Sequence, residues 1–116
     1  MKVIKQKDIE PIESSCGPLK ELYSSGNVDI SNVIINKPAK KHMHKKMEEV
    51  YYITKGEGIL VLGEEELEVK EGDTIPIPKN TWHYLKPKDK PFEVLTIIYP
   101  KFDESDEIFE GEEWVK

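Results

Sequence analysis

Apolar and polar residues alternate with a period of two over much of the chain, in short runs separated by turn residues. The segment Glu66-Leu67-Glu68-Val69-Lys70 alternates strictly, as a strand with one wet face does. Val28 to Asn36 is β-branched and apolar, and Lys37-Pro38-Ala39 closes it. Residues 49 to 54 and 58 to 62 flank Lys55-Gly56-Glu57, where glycine supplies the backbone angles of a tight reversal. Gly63-Glu64 and Glu71-Gly72-Asp73 read as further turns. In Thr74-Ile75-Pro76-Ile77-Pro78 the prolines lack a donor for a ladder, which places this segment at an edge or rim. Lys79-Asn80 turns the chain into Thr81 to Lys86. Phe92 to Tyr99 is nearly continuous in apolar residues and predicts a strand buried on both faces. Seven or eight short strands at this spacing predict an all-β fold, an antiparallel β-sandwich or jelly-roll barrel.

The length of 116 residues fits one domain, with a core over about 28–100, an N-terminal extension 1–27 and an acidic tail 101–116. The single cysteine, Cys16, has no internal partner and is assigned no role. The first residues lack the apolar stretch of a signal peptide, and apolar runs of five to six residues fall far short of the roughly 20 that span a bilayer. A cytoplasmic protein without a membrane partner is expected. A net charge of −6 disfavours nucleic acid. All 17 basic residues are lysines, so no arginine fork is available to grip a carboxylate or phosphate.

All three histidines fall in two clusters: His42-Met43-His44 with Glu49 five residues later, and His83 five residues after Pro78. Along a strand a His-x-His pair points both rings to one face, about 7 Å apart at the backbone. A polar turn, Lys45 to Glu48, then leads to Glu49 at the head of the apolar run Val50 to Ile53. Imidazoles with one carboxylate select a divalent first-row metal (iron, manganese, nickel, copper or zinc) over calcium or magnesium, which prefer oxygen.

The full spacing is Asn36-x5-His42-x-His44-x4-Glu49-x6-Gly56, then fifteen residues, then Gly72-x5-Pro78-x-Asn80-x2-His83-x3-Pro87. This two-part pattern resembles the cupins, specifically the small single-domain microbial type, over roughly residues 18 to 110. The resemblance implies a jelly roll, or double-stranded β-helix, with one metal held by His42, His44, Glu49 and His83. The pattern also allows Glu48 as the carboxylate, but the six-residue spacing to Gly56 selects Glu49. Asn36 and Asn80 stand where the family has glycine, and asparagine is the residue next most tolerant of positive φ. Pro87 replaces a closing asparagine.

Four protein ligands on an ion that prefers six positions leave two for exchange. The resemblance therefore implies a metal-dependent enzyme, dioxygenase-like or isomerase-like, acting on a small oxygenated, possibly anionic metabolite. A non-catalytic binding or sensor module with the same pocket is the alternative, and a metal-free structural jelly roll the third. By alternation from Glu49, Tyr51 and Ile53 face the pocket with Leu85, and Thr96 adds a hydroxyl. Tyr51 is the catalytic candidate, the inward group able to donate a proton. Lys37, Lys40, Lys41, Lys45 and Lys46 crowd the histidines and would form a rim that attracts anions. The N-terminal extension resembles those that cover a barrel end or form dimer contacts. Asp103 to Glu107 would cap a short helix or fray in solvent, and Trp114 would anchor the tail. Apolar outward faces at Ile59 to Leu62 and Leu95 to Ile98 point to a homodimer. Substrate, metal identity, reaction and pathway are not encoded legibly.

Overall fold

A computed structural model describes residues 2–111 and is built almost wholly of antiparallel strands. In chain order these are β1 (Ile12–Ser14), β2 (Gly17–Ser24), β3 (Asp29–Ile35), β4 (His42–Met43), β5 (Glu48–Lys55), β6 (Glu57–Leu62), β7 (Glu65–Lys70), β8 (Thr74–Ile77), β9 (His83–Pro87), β10 (Phe92–Tyr99) and β11 (Ile108–Phe109). They form a six-stranded sheet in the order β1-β2-β3-β10-β5-β8 and a five-stranded sheet in the order β11-β4-β9-β6-β7. Among the described residues the ladders form two separate sheets, so the molecule is a sandwich of the jelly-roll kind and not a closed barrel. Among the described residues no helix is long and apolar enough to cross a membrane.

The turns follow the residues that demanded them. Gly56, Gly63 and Asn80 lie at φ of 82°, 61° and 60°, the last a left-handed position that asparagine tolerates. Asn36, the other asparagine in place of a glycine, sits in a bend without positive φ. The proline-bearing β8 is the edge of its sheet, pairing with β5 alone. The expectation for Phe92–Tyr99 needs correction. β10 is central, between β3 and β5, but only alternate residues are buried; Glu93, Leu95 and Ile97 on the outer side are half-buried. A central position hydrogen-bonds both edges of a strand without covering both faces.

The facing sides of the two sheets enclose a core of Val33, Ile35, Ile53, Leu60, Val69, Leu85, Phe92 and Val94. Each side chain of this size contributes about 1.5–3 kcal/mol when removed from water. Gly58 is needed for packing: a Cβ there would strike the Phe92 ring, which lies against the β6 backbone. The segment assigned to an extension also joins the main sheet. β2 pairs with β3 from Leu19↔Val33 to Ser24↔Asp29, with one irregularity between Glu21 and Tyr23 that interrupts the alternation.

Candidate metal centre

The register of the strands sets the site. In the six-stranded sheet Ile98 pairs with both Asp29 and Glu49, and Thr96 with both Ser31 and Tyr51, so these inward residues form two adjacent rows across the sheet. In the opposing sheet His42 pairs with His83, bringing the two sequence clusters side by side. β4 ends at Met43, and His44 follows as the first loop residue. Asn80, in its left-handed turn, donates its backbone N–H to the His44 carbonyl at 2.7 Å, tying the second cluster to the first.

His42, His44, Glu49 and His83 converge, with one ligating atom from each lying within 4.8 Å of the others. All four are buried, His83 completely, whereas Glu48 is exposed on the other face, so Glu49 is the carboxylate that faces the histidines. The imidazole of His42 lies 4.4 Å from that of His83 and 5.1 Å from that of His44, centre to centre. Backbone carbonyls orient two of the rings. Nδ1 of His42 meets Lys40 O at 2.8 Å and Nδ1 of His83 meets Thr81 O at 2.9 Å. With Nδ1 carrying the proton as donor, Nε2 is left with a lone pair for a ligand.

Three polar atoms of the cluster have nothing to bind in the protein. Nε2 of His44, Nε2 of His83 and Oε1 of Glu49 are buried without a hydrogen-bond partner. Leaving three such groups dry would cost about 1–3 kcal/mol each. The nearest approach is an ion-pair separation: Glu49 Oε1 stands 3.4 Å from His83 Nε2 and 3.7 Å from His44 Nδ1. A divalent cation placed among the four side chains would offer such atoms a partner, and the donor set suits a first-row transition metal. Burial, reinforced by neighbouring His83, depresses His42 from 6.5 to about 4. Burial also lowers His44. Both rings are therefore neutral at pH 7, the state that ligates a metal.

A cavity of about 400 Å³ opens onto His42, His44 and Glu49. Its lining also includes residues of the β1–β2 hairpin, Val33, Thr96 and Ile98 of the sheet, and Glu104 and Glu107 of the tail. Thr96 contributes as the sequence indicated. Ile53 and Leu85 do not; they belong to the apolar core. Tyr51 faces inward, wholly buried, but is absent from the cavity wall. Burial first, then the charge and hydrogen-bond acceptance of Glu49, hold its phenol well above the ordinary value, so the hydroxyl keeps its proton.

The lysine rim is not there. None of Lys37, Lys40, Lys41, Lys45 and Lys46 lines the cavity. Lys41 pairs with Glu110 at 3.0 Å, and Lys40 lies over the Phe109 ring. Met47 is packed and buried. Burial raises the Cys16 thiol to about 12, with Glu49 and Glu107 adding to the effect, which leaves it protonated and unreactive.

The acidic tail is structural over its described part. Asp103 caps one 3-10 turn, Glu104–Asp106, accepting from Ser105 N at 3.0 Å, as a capping reading required. Asp106 itself is buried, and its carboxylate accepts from the backbone N–H groups of Lys45, Lys46 and Met47 at 3.0, 2.8 and 2.7 Å. Burial alone would raise its pKa, but the three hydrogen bonds hold it below the usual carboxylate range. That clamp fixes the loop between His44 and Glu49. β11 then pairs with β4, so tail and ligand strand share a sheet. No local pattern signals Asp106 or Glu107. Trp114 lies outside the described residues.

The family model described as the cupin domain matches residues 33–98, more than half of the chain. An uncharacterized protein of Methanocaldococcus jannaschii is 41% identical over 66 residues, covering 56% of this chain and 53% of that protein. The chain thus spans about half the length of that relative. Among solved structures, a predicted oxalate decarboxylase of Thermotoga maritima superposes with a TM-score of 0.78 at 20% identity, covering 85% of this chain and 99% of the other. Streptomyces Pac13, described as a nucleoside dehydratase and also solved with uridine, gives 0.79 at 20% identity, covering 94% and 90%. At such identities the likeness carries the fold alone.

Proposed function

The chain belongs to the cupin domain family, and on that premise we propose that it is a small metal-dependent enzyme acting on a small oxygenated molecule. The observation that carries this reading is the set of three buried, unpartnered donor atoms in the cluster, of which those of His44 and Glu49 belong to residues lining a cavity. His42, His44, Glu49 and His83 would hold one divalent iron, manganese, nickel, copper or zinc ion. Bound there, the metal would supply Lewis-acid or redox chemistry at positions the protein leaves open, as a dioxygenase or isomerase uses it.

The protein's own contribution is orientation and exclusion of water. The Lys40 and Thr81 carbonyls fix two imidazoles, and Asp106 fixes the loop between the ligands. Tyr51, with its proton retained, is proposed to orient Glu49 from inside the core. Neighbours named for a decarboxylase and a dehydratase support an enzymatic reading. A second reading, a non-catalytic binding module, is favoured by the absence of Tyr51 from the cavity wall. We further propose a cytoplasmic homodimer whose contact includes the half-buried outer residues Ile30, Ile34, Leu95 and Ile97, to be checked by light scattering.

Elemental analysis tests the metal site. Protein from medium supplied with all five metals should carry near-stoichiometric metal, and the His83→Ala variant should lose it. Absence of metal from both proteins, even after reconstitution, would remove the enzyme reading.

A further inference from the structure

The charged residues on the cavity wall are sorted by sign. They are Glu13, Glu21, Asp29, Glu49, Glu104 and Glu107, and among the described residues no lysine lines the cavity, in a chain with 17 lysines. Acidity alone would define no site. Here, however, His44 Nε2 and Glu49 Oε1 are buried on that same wall without partners, so a ligand position exists between them and the carboxylates.

These carboxylates differ in what they can do. Asp29 already accepts from the backbone N–H of Phe102, and Glu13, Glu21 and Glu104 are exposed at the mouth. Glu107 is half-buried and lines the cavity. Ser15 donates its hydroxyl to Glu107 Oε2 at 3.4 Å, and the buried neighbour Asp106 anchors the backbone beside it. Glu107 is therefore held in place on the lining that it shares with His42 and His44.

We propose that the cavity takes a neutral or cationic small molecule rich in hydrogen-bond donors, a polyol or amine in chemical class, with Glu107 receiving one donor while an oxygen of the same molecule faces the ligand cluster. This deepens the reading of the site as a metal-dependent enzyme and rests on it. An ionised carboxylate only accepts hydrogen bonds, so hydroxyl or ammonium groups match it and a second anion does not. Burial, and next the Glu49 carboxylate, already raise Glu107 above the ordinary range. Another negative charge nearby would face the same penalty.

Three hydroxamates with one chelating head and different tails provide the test: glycine hydroxamate (cationic), acetohydroxamate (neutral) and succinic acid monohydroxamate (anionic). Cobalt(II)-loaded protein, its metal content verified by elemental analysis, would be titrated with each by visible absorption. The anionic compound should bind about tenfold or more weakly than the other two. Glu107→Gln should narrow that gap and Glu107→Lys should reverse it. Equal or tighter binding of the anion by the unaltered protein, or an order that Glu107→Lys leaves unchanged, overturns the proposal. Should cobalt fail to load, the metal reading fails by itself. The charge order is then read on metal-free protein from the methyl NMR shifts of Leu19, Val33 and Ile98. Saturation by the anion at the lowest concentration refutes the proposal there too.

Discussion

Each of four strands crosses the interior from one kind of environment into another. On β5 the inward residues run Glu49, Tyr51, Ile53; on β3, Asp29, Ser31, Val33, Ile35; on β10, Ile98, Thr96, Val94, Phe92; and on β9, His83 then Leu85. The registers align these changes, so one end of the sandwich is apolar and the other gathers the buried polar groups. At the apolar end Phe92 packs against a glycine chosen for its missing side chain. At the polar end three donor atoms have no partner. The difference shows a division of labour within single strands. Packing at one end supplies the free energy that lets the other carry groups whose satisfaction waits for a ligand.

Truncation of the apolar end should have the largest effect. Phe92→Ala should cost about 3–5 kcal/mol in urea unfolding, leaving metal content per folded molecule unchanged. A parallel loss of metal would show that the two ends are not separable.

Acid should act at the polar end next. His42 is depressed from 6.5 to about 4 in the folded protein, so between these values the unfolded chain binds more protons. The stabilisation is fully present above pH 6.5 and disappears as pH falls toward 4, and His44 shifts in the same direction. Metal-free protein should lose on the order of 3 kcal/mol over that range. Phe92→Ala should show the same slope. A flat profile from pH 7 to 4 would contradict the depressed value.

The smallest effect on stability should come from making the polar end apolar. His83→Leu in metal-free protein should change stability by no more than about 1–2 kcal/mol, because relief of the buried, unpartnered Nε2 offsets loss of the Nδ1 hydrogen bond to Thr81 O. Metal binding should be lost all the same. A loss of several kcal/mol would mean that the Thr81 hydrogen bond and the packing of the ring outweigh the relief of the unpartnered nitrogen.

Much of this was legible along the chain. Short apolar and alternating runs between turn residues located β3 and β5 to β10, though not β11 in the tail, and proline identified β8 as an edge. The spacing of two histidine clusters identified four residues that the fold brings together. The N-terminal hairpin was less legible, because an irregularity between Glu21 and Tyr23 breaks the alternation of β2. The lysine rim failed for a related reason. Proximity in sequence to His42 and His44 says nothing about which face a loop side chain takes, and the wall there is built by residues from β1, β2 and the tail.

The sequence by itself determined the strand class, the turns and the two histidine clusters, because each depends on residues within a few positions of one another and on the alternation of a pleated chain. Tertiary structure decided the rest. The choice of two sheets over a closed barrel, the clamp of Asp106 on backbone groups about 60 residues away and the carboxylate lining of the cavity arise from pairings between distant segments. Only the assembled sandwich brings those segments together, so no local periodicity announces them.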